Sequence, residues 1–287
     1  MNNNRMRLSN IDLVAHSEPR EAPPGLRHLK AREVSGFVFF ETFYAAGMGV
    51  STHSHEQPNM CIALTGNCRE AYGAKVREYK PLTLAYIPAG VGHSLHFPNG
   101  ASRCFSVDIA PDWLERFREL SKINEDSVHC HGGLLGTLFL KLYKEFHTVD
   151  SAATISMEGL TLEMIAEVLR RQAKKNERTP PSWLKRAIEL LHARYAETLQ
   201  LTEIAQAVGV HPVHLAREFR KHYRCTIGEY TRRLRIENAC LALSNPELSL
   251  SSIGLAAGFA DQSHFSRTFK RITGMTPLDY RAKVKAR

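Results

Sequence analysis

The chain has 287 residues, 43% of them hydrophobic, which is enough for two domains with packed cores. Its formal charge of +9 is unevenly placed: from Trp183 onward there are 17 Lys+Arg against 9 Asp+Glu, whereas the preceding residues hold 21 against 20. The composition excludes a membrane span, because there is no run of 18 apolar residues, and the polar start Met1–Arg5 does not read as a signal peptide. Cys61, Cys68, Cys104, Cys130, Cys225 and Cys240 form no CxxC pair and read as reduced, packing thiols of a cytoplasmic protein.

In chain order, residues 1 to about 30 read as a polar lead with little structure. From Gly36 to about Ala110 short apolar or alternating runs follow one another, among them Phe37–Phe40, Met60–Leu64, Leu82–Ile87 and Cys104–Val107. Clusters such as Pro98-Asn99-Gly100 separate them, which predicts several strands in a small barrel or sandwich. His53 and His55 lie two apart, so on a strand they face one side. A third imidazole from a neighbouring strand would complete a divalent-metal donor set.

This segment resembles a cupin barrel. Gly47, His53-Ser54-His55 and Gly66 follow the first cupin motif, and Pro88-Ala89-Gly90 with His93 follow part of the second. Asn59 stands where the acidic metal ligand is expected, and Phe97 replaces the Asn of the second motif. Three readings of His53, His55 and His93 stay open. They line a small-molecule effector pocket without metal, they hold a divalent metal, or they are polar residues facing the barrel interior without a role.

After Pro111 the periodicity turns helical. Trp113, Phe117 and Leu120 mark one helix, Leu134 to Phe146 a second, and Leu160 to Leu169 a third. Wide leucine-rich faces beside a small barrel must be covered, by the barrel itself or by a second copy; the last helices are expected to form a homodimer. His129-Cys130-His131 precedes two glycines and lacks a fourth zinc ligand, so a structural loop is expected there. Residues 176–182 read as a linker between a sensing and dimerisation domain (1–175) and a helical domain (183–287), with Ser182 as N-cap of a helix from Trp183 to Ala196.

The helical domain contains a repeat. Leu201, Ile204, Ala207 and Gly209 recur as Leu250, Ile253, Ala256 and Gly258, 49 residues on. Leu215, Arg217, Phe219 and Tyr230 recur as Phe265, Arg267, Phe269 and Tyr280, 50 residues on. The one-residue slip falls in a turn. Each copy reads as a helix-turn-helix, and Arg232 to Leu243 reads as the helix joining them.

The second copy carries Gly258-Phe259, Asp261, Ser263, Phe265-Ser266-Arg267, Phe269-Lys270, Gly274, Thr276-Pro277 and Tyr280-Arg281. With Arg235 and Ala239 in the joining helix, this resembles the AraC/XylS family of transcription regulators. The resemblance covers Trp183 to Arg281. It implies a two-domain α+β architecture, a cupin-like β-barrel with flanking helices followed by an all-α double helix-turn-helix domain. It also implies an effector-responsive regulator, in the main an activator, that binds promoter DNA and works with RNA polymerase. Arg224 departs from the pattern where Gly is usual, and His211 replaces the small hydroxyl cap of the first recognition helix.

By the family's motif, Val213, Ala216 and Arg217 reach base edges in the first unit, and Gln262, Ser263, His264 and Arg267 do so in the second. Arg and Gln can bond bases in pairs, so the second unit with Arg217 is expected to carry most hydrogen-bonded specificity. Arg220, Lys221, Lys270 and Arg271 are expected on phosphates, and Asp261 as a helix cap rather than a DNA contact. The alternative function is a metal-dependent cupin enzyme with an appended nucleic-acid-binding domain. The missing acidic ligand at Asn59, and the absence of a nucleophile–base constellation at useful spacing, argue against it.

Overall fold

In the computed structural model, residues 24–73, 75–98, 100–120, 127–174 and 180–284 are described. The chain has a β-rich N-terminal part and a helical C-terminal part. The N-terminal part opens earlier than expected, with β1 (Leu26–Val34). Its sequence is rich in Lys, Arg and Glu because it is an edge strand whose cations serve another element. Lys30 Nζ donates to the Phe146 carbonyl at 2.8 Å, and Arg32 donates to the Thr148 carbonyl at 2.9 Å. These carbonyls close the C-terminal end of a helix, where unpaired C=O groups welcome positive charge. The polar lead at residues 1–23 lies outside the described residues.

Ser35 (φ 51°) and Gly36 (φ 79°) turn β1 into β2 (Phe37–Tyr44). Two consecutive positive φ values suit the twist of a tight hairpin. There follow β3 (Gly49–His53), β4 (Asn59–Thr65), β5 (Cys68–Tyr72), β6 (Lys75–Tyr79), β7 (Thr83–Ile87), β8 (His93–His96) and β9 (Ser102–Ile109). Then come α1 (Pro111–Leu120), β10 (Val128–His131), α2 (Gly133–Phe146) and α3 (Ser151–Lys174).

The strands form two sheets rather than the closed barrel the sequence suggested. A six-stranded sheet has the order β1-β2-β9-β4-β7-β10, and a four-stranded one has β3-β8-β5-β6. Among the described residues no ladder joins their edges. The chain crosses between them in turns, and an apolar layer that includes Met48, Ala63, Cys68, Tyr79, Ile87 and Phe97 fills the space between. The outer face of the larger sheet is covered by α2. There Phe105 meets Phe139, Tyr143 and Phe146 at centroid distances of 5.6, 5.3 and 4.9 Å. The segment His129-Cys130-His131, expected as a loop, is strand β10 on the edge of that sheet, paired with β7.

The C-terminal part comprises α4 (Ser182–Ala193), α5 (Leu201–Val208), α6 (Pro212–Tyr223), α7 (Ile227–Leu243), α8 (Leu250–Ala256), α9 (Gln262–Thr273) and α10 (Pro277–Val284). Ser182 is the first helical residue rather than the cap; Pro181 precedes it and makes no side-chain bond. The helix stops at Ala193, three residues short of the expectation. Residues 176–179 of the expected linker lie outside the described residues.

The two repeats are pinned together by Arg235 of α7, which donates to the carbonyls of Tyr195 (2.8 Å), Glu197 (2.9 Å) and Gly258 (2.6 Å). The first unit has its own core, built on Leu184, Leu191, Ile204, Leu215 and Phe219. The core of the second unit, with Ile253, Phe265, Phe269 and Tyr280, is continuous with α2 and the larger sheet.

Candidate nucleic-acid interface and inter-sheet cavity

Each unit presents one recognition helix. In α6, Leu215 and Phe219 are buried, while Val213, Ala216, Arg217, Arg220 and Lys221 are exposed, Val213 at 69%. His211 is the N-cap, and its Nδ1 accepts the Val213 N–H at 3.3 Å, so an imidazole takes over the hydroxyl's task. Arg217 Nη2 lies 3.1 Å from His214 Nδ1, and the Arg217 guanidinium is also 3.5 Å from Glu218. These contacts preset the direction of a side chain that would otherwise sample many rotamers.

In α9, Phe265, Thr268 and Phe269 are buried, and Gln262, Ser263, His264, Arg267, Lys270 and Arg271 are exposed. Asp261 caps the helix, as expected, its carboxylate accepting the His264 N–H. Gly274 at the end of α9 has φ 79°, and Arg224 at the end of α6 takes the same left-handed conformation with φ 57°. The sequence therefore placed all eleven candidate DNA contacts on two exposed helix faces. A groove of about 750 Å³ runs between α6 and the start of α7, and Arg217, Arg220 and Arg232 line it.

A second site lies between the sheets. His53, His55 and His93 bring their ligand atoms within 4.8 Å of one another, with ring centroids 5.1, 4.3 and 5.1 Å apart. Burial, aided by the neighbouring imidazoles, holds His55 down to about 4 and lowers His93. His53 Nδ1 lies 3.0 Å from the Ser51 carbonyl and His93 Nδ1 3.3 Å from the Val91 carbonyl. Carbonyls can only accept, so both rings donate from Nδ1, which leaves Nε2 as the atom a ligand would meet. Asn59 Nδ2 donates to Asp108 Oδ1 at 2.6 Å; burial pushes the Asp108 carboxyl up to about 6. A carboxylate thus stands one side chain behind the position where the acidic ligand is missing.

The cavity measures about 80 Å³, with Cys61, Cys68 and Cys104 on its walls. Phe97 closes it, stacked on Tyr44 at 4.2 Å. A second polar group was invisible in the sequence. The Tyr79 hydroxyl donates to buried Glu70 and lies 2.6 Å from His129 Nδ1. Burial raises the Glu70 carboxyl. The three residues stand on β6, β5 and β10.

A family model described as a helix-turn-helix domain matches residues 204–283. Over 85 residues the chain is 35% identical to a probable transcription factor, PqrA, of Proteus vulgaris, covering 30% of this chain and 70% of that one. Over 205 residues it is 31% identical to a putative AraC-like transcription regulator of Streptomyces lividans, covering 67% and 65%. The chain belongs to the AraC family of transcriptional regulators. It is also 23% identical over 206 residues to the Msm operon regulatory protein of Streptococcus mutans, covering 66% of this chain and 74% of that one. Of other family members, such as the arabinose operon regulatory protein of Salmonella typhimurium, the chain spans about half the length. Among the described residues of this AraC-family chain, no helix is long and apolar enough to cross a membrane.

Proposed function

We propose that the chain is a sequence-specific DNA-binding regulator whose inter-sheet cavity senses a small molecule or ion. The observation that carries this reading is the pair of helices α6 and α9. Each is anchored by aromatic or leucine side chains and shows polar and cationic ones outward, within a region of strong basic excess. Two such helices in one chain fit successive major-groove segments on one DNA face. Arg217, Gln262, His264 and Arg267 offer the hydrogen-bonding groups for base edges; Val213 and Ala216 offer methyl contacts; Ser263 supplies a hydroxyl at the start of α9. Arg220, Lys221, Lys270 and Arg271 take phosphates, and activation would engage RNA polymerase. The second copy in a homodimer would pack on α3, where Ile155 is 76% exposed. The domain division at 175 and 183 suits this reading.

The test compares affinity for a DNA site selected from a random library with affinity for random DNA across salt concentrations. Selected DNA should bind at least about 10³-fold tighter. Lys270→Ala should weaken both equally and flatten the log–log salt slope by about one. Equal affinity for both DNAs would reject a sequence-specific regulator.

A second reading concerns the cavity's occupant. Three imidazoles whose ligand atoms lie within 4.8 Å of one another fit a divalent first-row metal, with His53, His55 and His93 as ligands and Asn59 on the wall of the same cavity. Elemental mass spectrometry of untagged protein tests it. Near-stoichiometric metal that disappears in His53→Ala/His55→Ala supports it, and none in the wild type rejects it.

A further inference from the structure

The larger sheet has the cavity on one face and, on the other, α2 together with α10 of the second helix-turn-helix unit. Along β4, Cys61 and Ala63 line the cavity. Ile62 and Leu64 point the opposite way, as alternate residues of a strand must, and are buried in the core shared with α9 and α10. The Leu64 carbonyl accepts the hydroxyl of Tyr280 in α10 at 3.4 Å. On neighbouring β9, Cys104 lines the cavity while Arg103 donates to the Lys283 carbonyl in the last turn of α10.

A second thread starts one residue earlier. The Ala63 carbonyl accepts the Leu82 N–H at 2.7 Å, and the Leu82 carbonyl accepts the Gly132 N–H at 3.0 Å. Gly133 N–H then donates at 2.8 Å to the carboxylate of Glu237, a buried residue of α7. Both intermediate joints are tightly determined. Leu82 is held at φ 66°, a conformation L-residues rarely adopt, and a Cβ on Gly132 would overlap the Glu237 carboxylate. The first unit, by contrast, packs around a separate core, to which α7 adds Leu234 with Ile227 and Tyr230 from its N-terminal half. Glu237, Ala239, Cys240 and Leu243 of its C-terminal half are buried away from that core.

We infer that Ala63 and Leu64 of β4 form the junction through which the contents of the cavity set the seat of the second DNA-reading unit. An occupant that displaces β4 moves α10 through Leu64 and Arg103. It moves the C-terminal half of α7 through Leu82, Gly132 and Glu237, and leaves α5 and α6, which lie on neither thread, in place. This rests on the reading of the cavity as an effector site. It assigns the regulation to the second unit, where most base-bonding side chains lie.

Ala63→Leu supplies a permanent occupant from β4 itself, so no ligand is needed. Hydrogen exchange of the full-length chain without DNA should show roughly tenfold faster exchange in the C-terminal half of α7 and in α10, with α5 and α6 at wild-type rates. Where leucine prevents cooperative folding, Ala63→Val makes the same measurement with a smaller occupant. Unchanged exchange in the C-terminal half of α7 and in α10 of a folded variant overturns the inference, and so does an equal rise in α5 and α6. The wild type's DNA affinity, measured in parallel, separates the two claims. Its failure to prefer any sequence sinks the regulator reading, whereas the exchange result speaks to the junction alone.

Discussion

Asp261 Oδ1 accepts the backbone N–H of His264 at 2.6 Å, so the carboxylate is committed to the start of α9. It satisfies an N–H that has no partner within the helix, and its negative charge sits at the positive end of the helix dipole. Asp261→Ala should therefore destabilise the protein by about 1 kcal/mol. His211→Ala, which removes a longer 3.3 Å cap from α6, should cost less. Thermal melts of the two variants at pH 7 check the order; a larger loss at His211 would refute it.

Arg267 lies one turn beyond Gln262 and Ser263 on the exposed face of α9. Arg267→Ala should weaken binding to the selected site by roughly 1–3 kcal/mol and relax preference at one base pair. Competition assays with single-base variants of the site report both effects. An equal loss on selected and random DNA would move Arg267 to the phosphates.

Arg224 holds φ 57° at the end of α6, where Gly274 holds the equivalent end of α9. An L-residue in this conformation carries a steric penalty that glycine avoids. Arg224→Gly should leave the midpoint of urea unfolding unchanged or raise it, by up to about 1 kcal/mol of stability after glycine's entropy in the unfolded chain is subtracted. A clear fall in the midpoint would mean the Arg224 side chain contributes something the backbone argument omits.

His55 is held down to about 4, against an ordinary value of 6.5, chiefly by burial. Between these values the unfolded chain binds a proton that the folded chain refuses. Stability is therefore complete above pH 6.5 and declines as pH falls towards 4, by about 1–3 kcal/mol from this one group. His55→Gln should flatten the decline in urea titrations at pH 7, 6, 5 and 4.5. An unaltered pH profile would count against a buried neutral imidazole.

The helical part was legible because its signals are short-range and occur twice. Leu215 and Phe219 predict Phe265 and Phe269, and each pair fixes which side chains face out. The β-rich part was legible only as strands. Whether β3 and β6 close onto the larger sheet depends on pairings that no local pattern encodes. Strand β1 escaped notice because Lys30 and Arg32 serve the end of α2, more than a hundred residues away. The cavity was half visible. The two-residue spacing singled out His53 and His55, although β3 ends at His53 and His55 lies in the loop after it. The bonds from Tyr79 to His129 and from Asn59 to Asp108, however, span 50 and 49 residues. No motif placed Glu237 under Gly132 and Gly133 either, since that contact arises only when the two parts pack together.

The most direct test of the central claim is a hydroxyl-radical footprint of the wild type, Arg217→Ala and Arg267→Ala on the selected DNA site. The account predicts two protected segments on one face of the duplex, about 10–10.5 base pairs apart, with each substitution weakening a different one. A single protected segment, or uniform protection unaffected by either substitution, would contradict it.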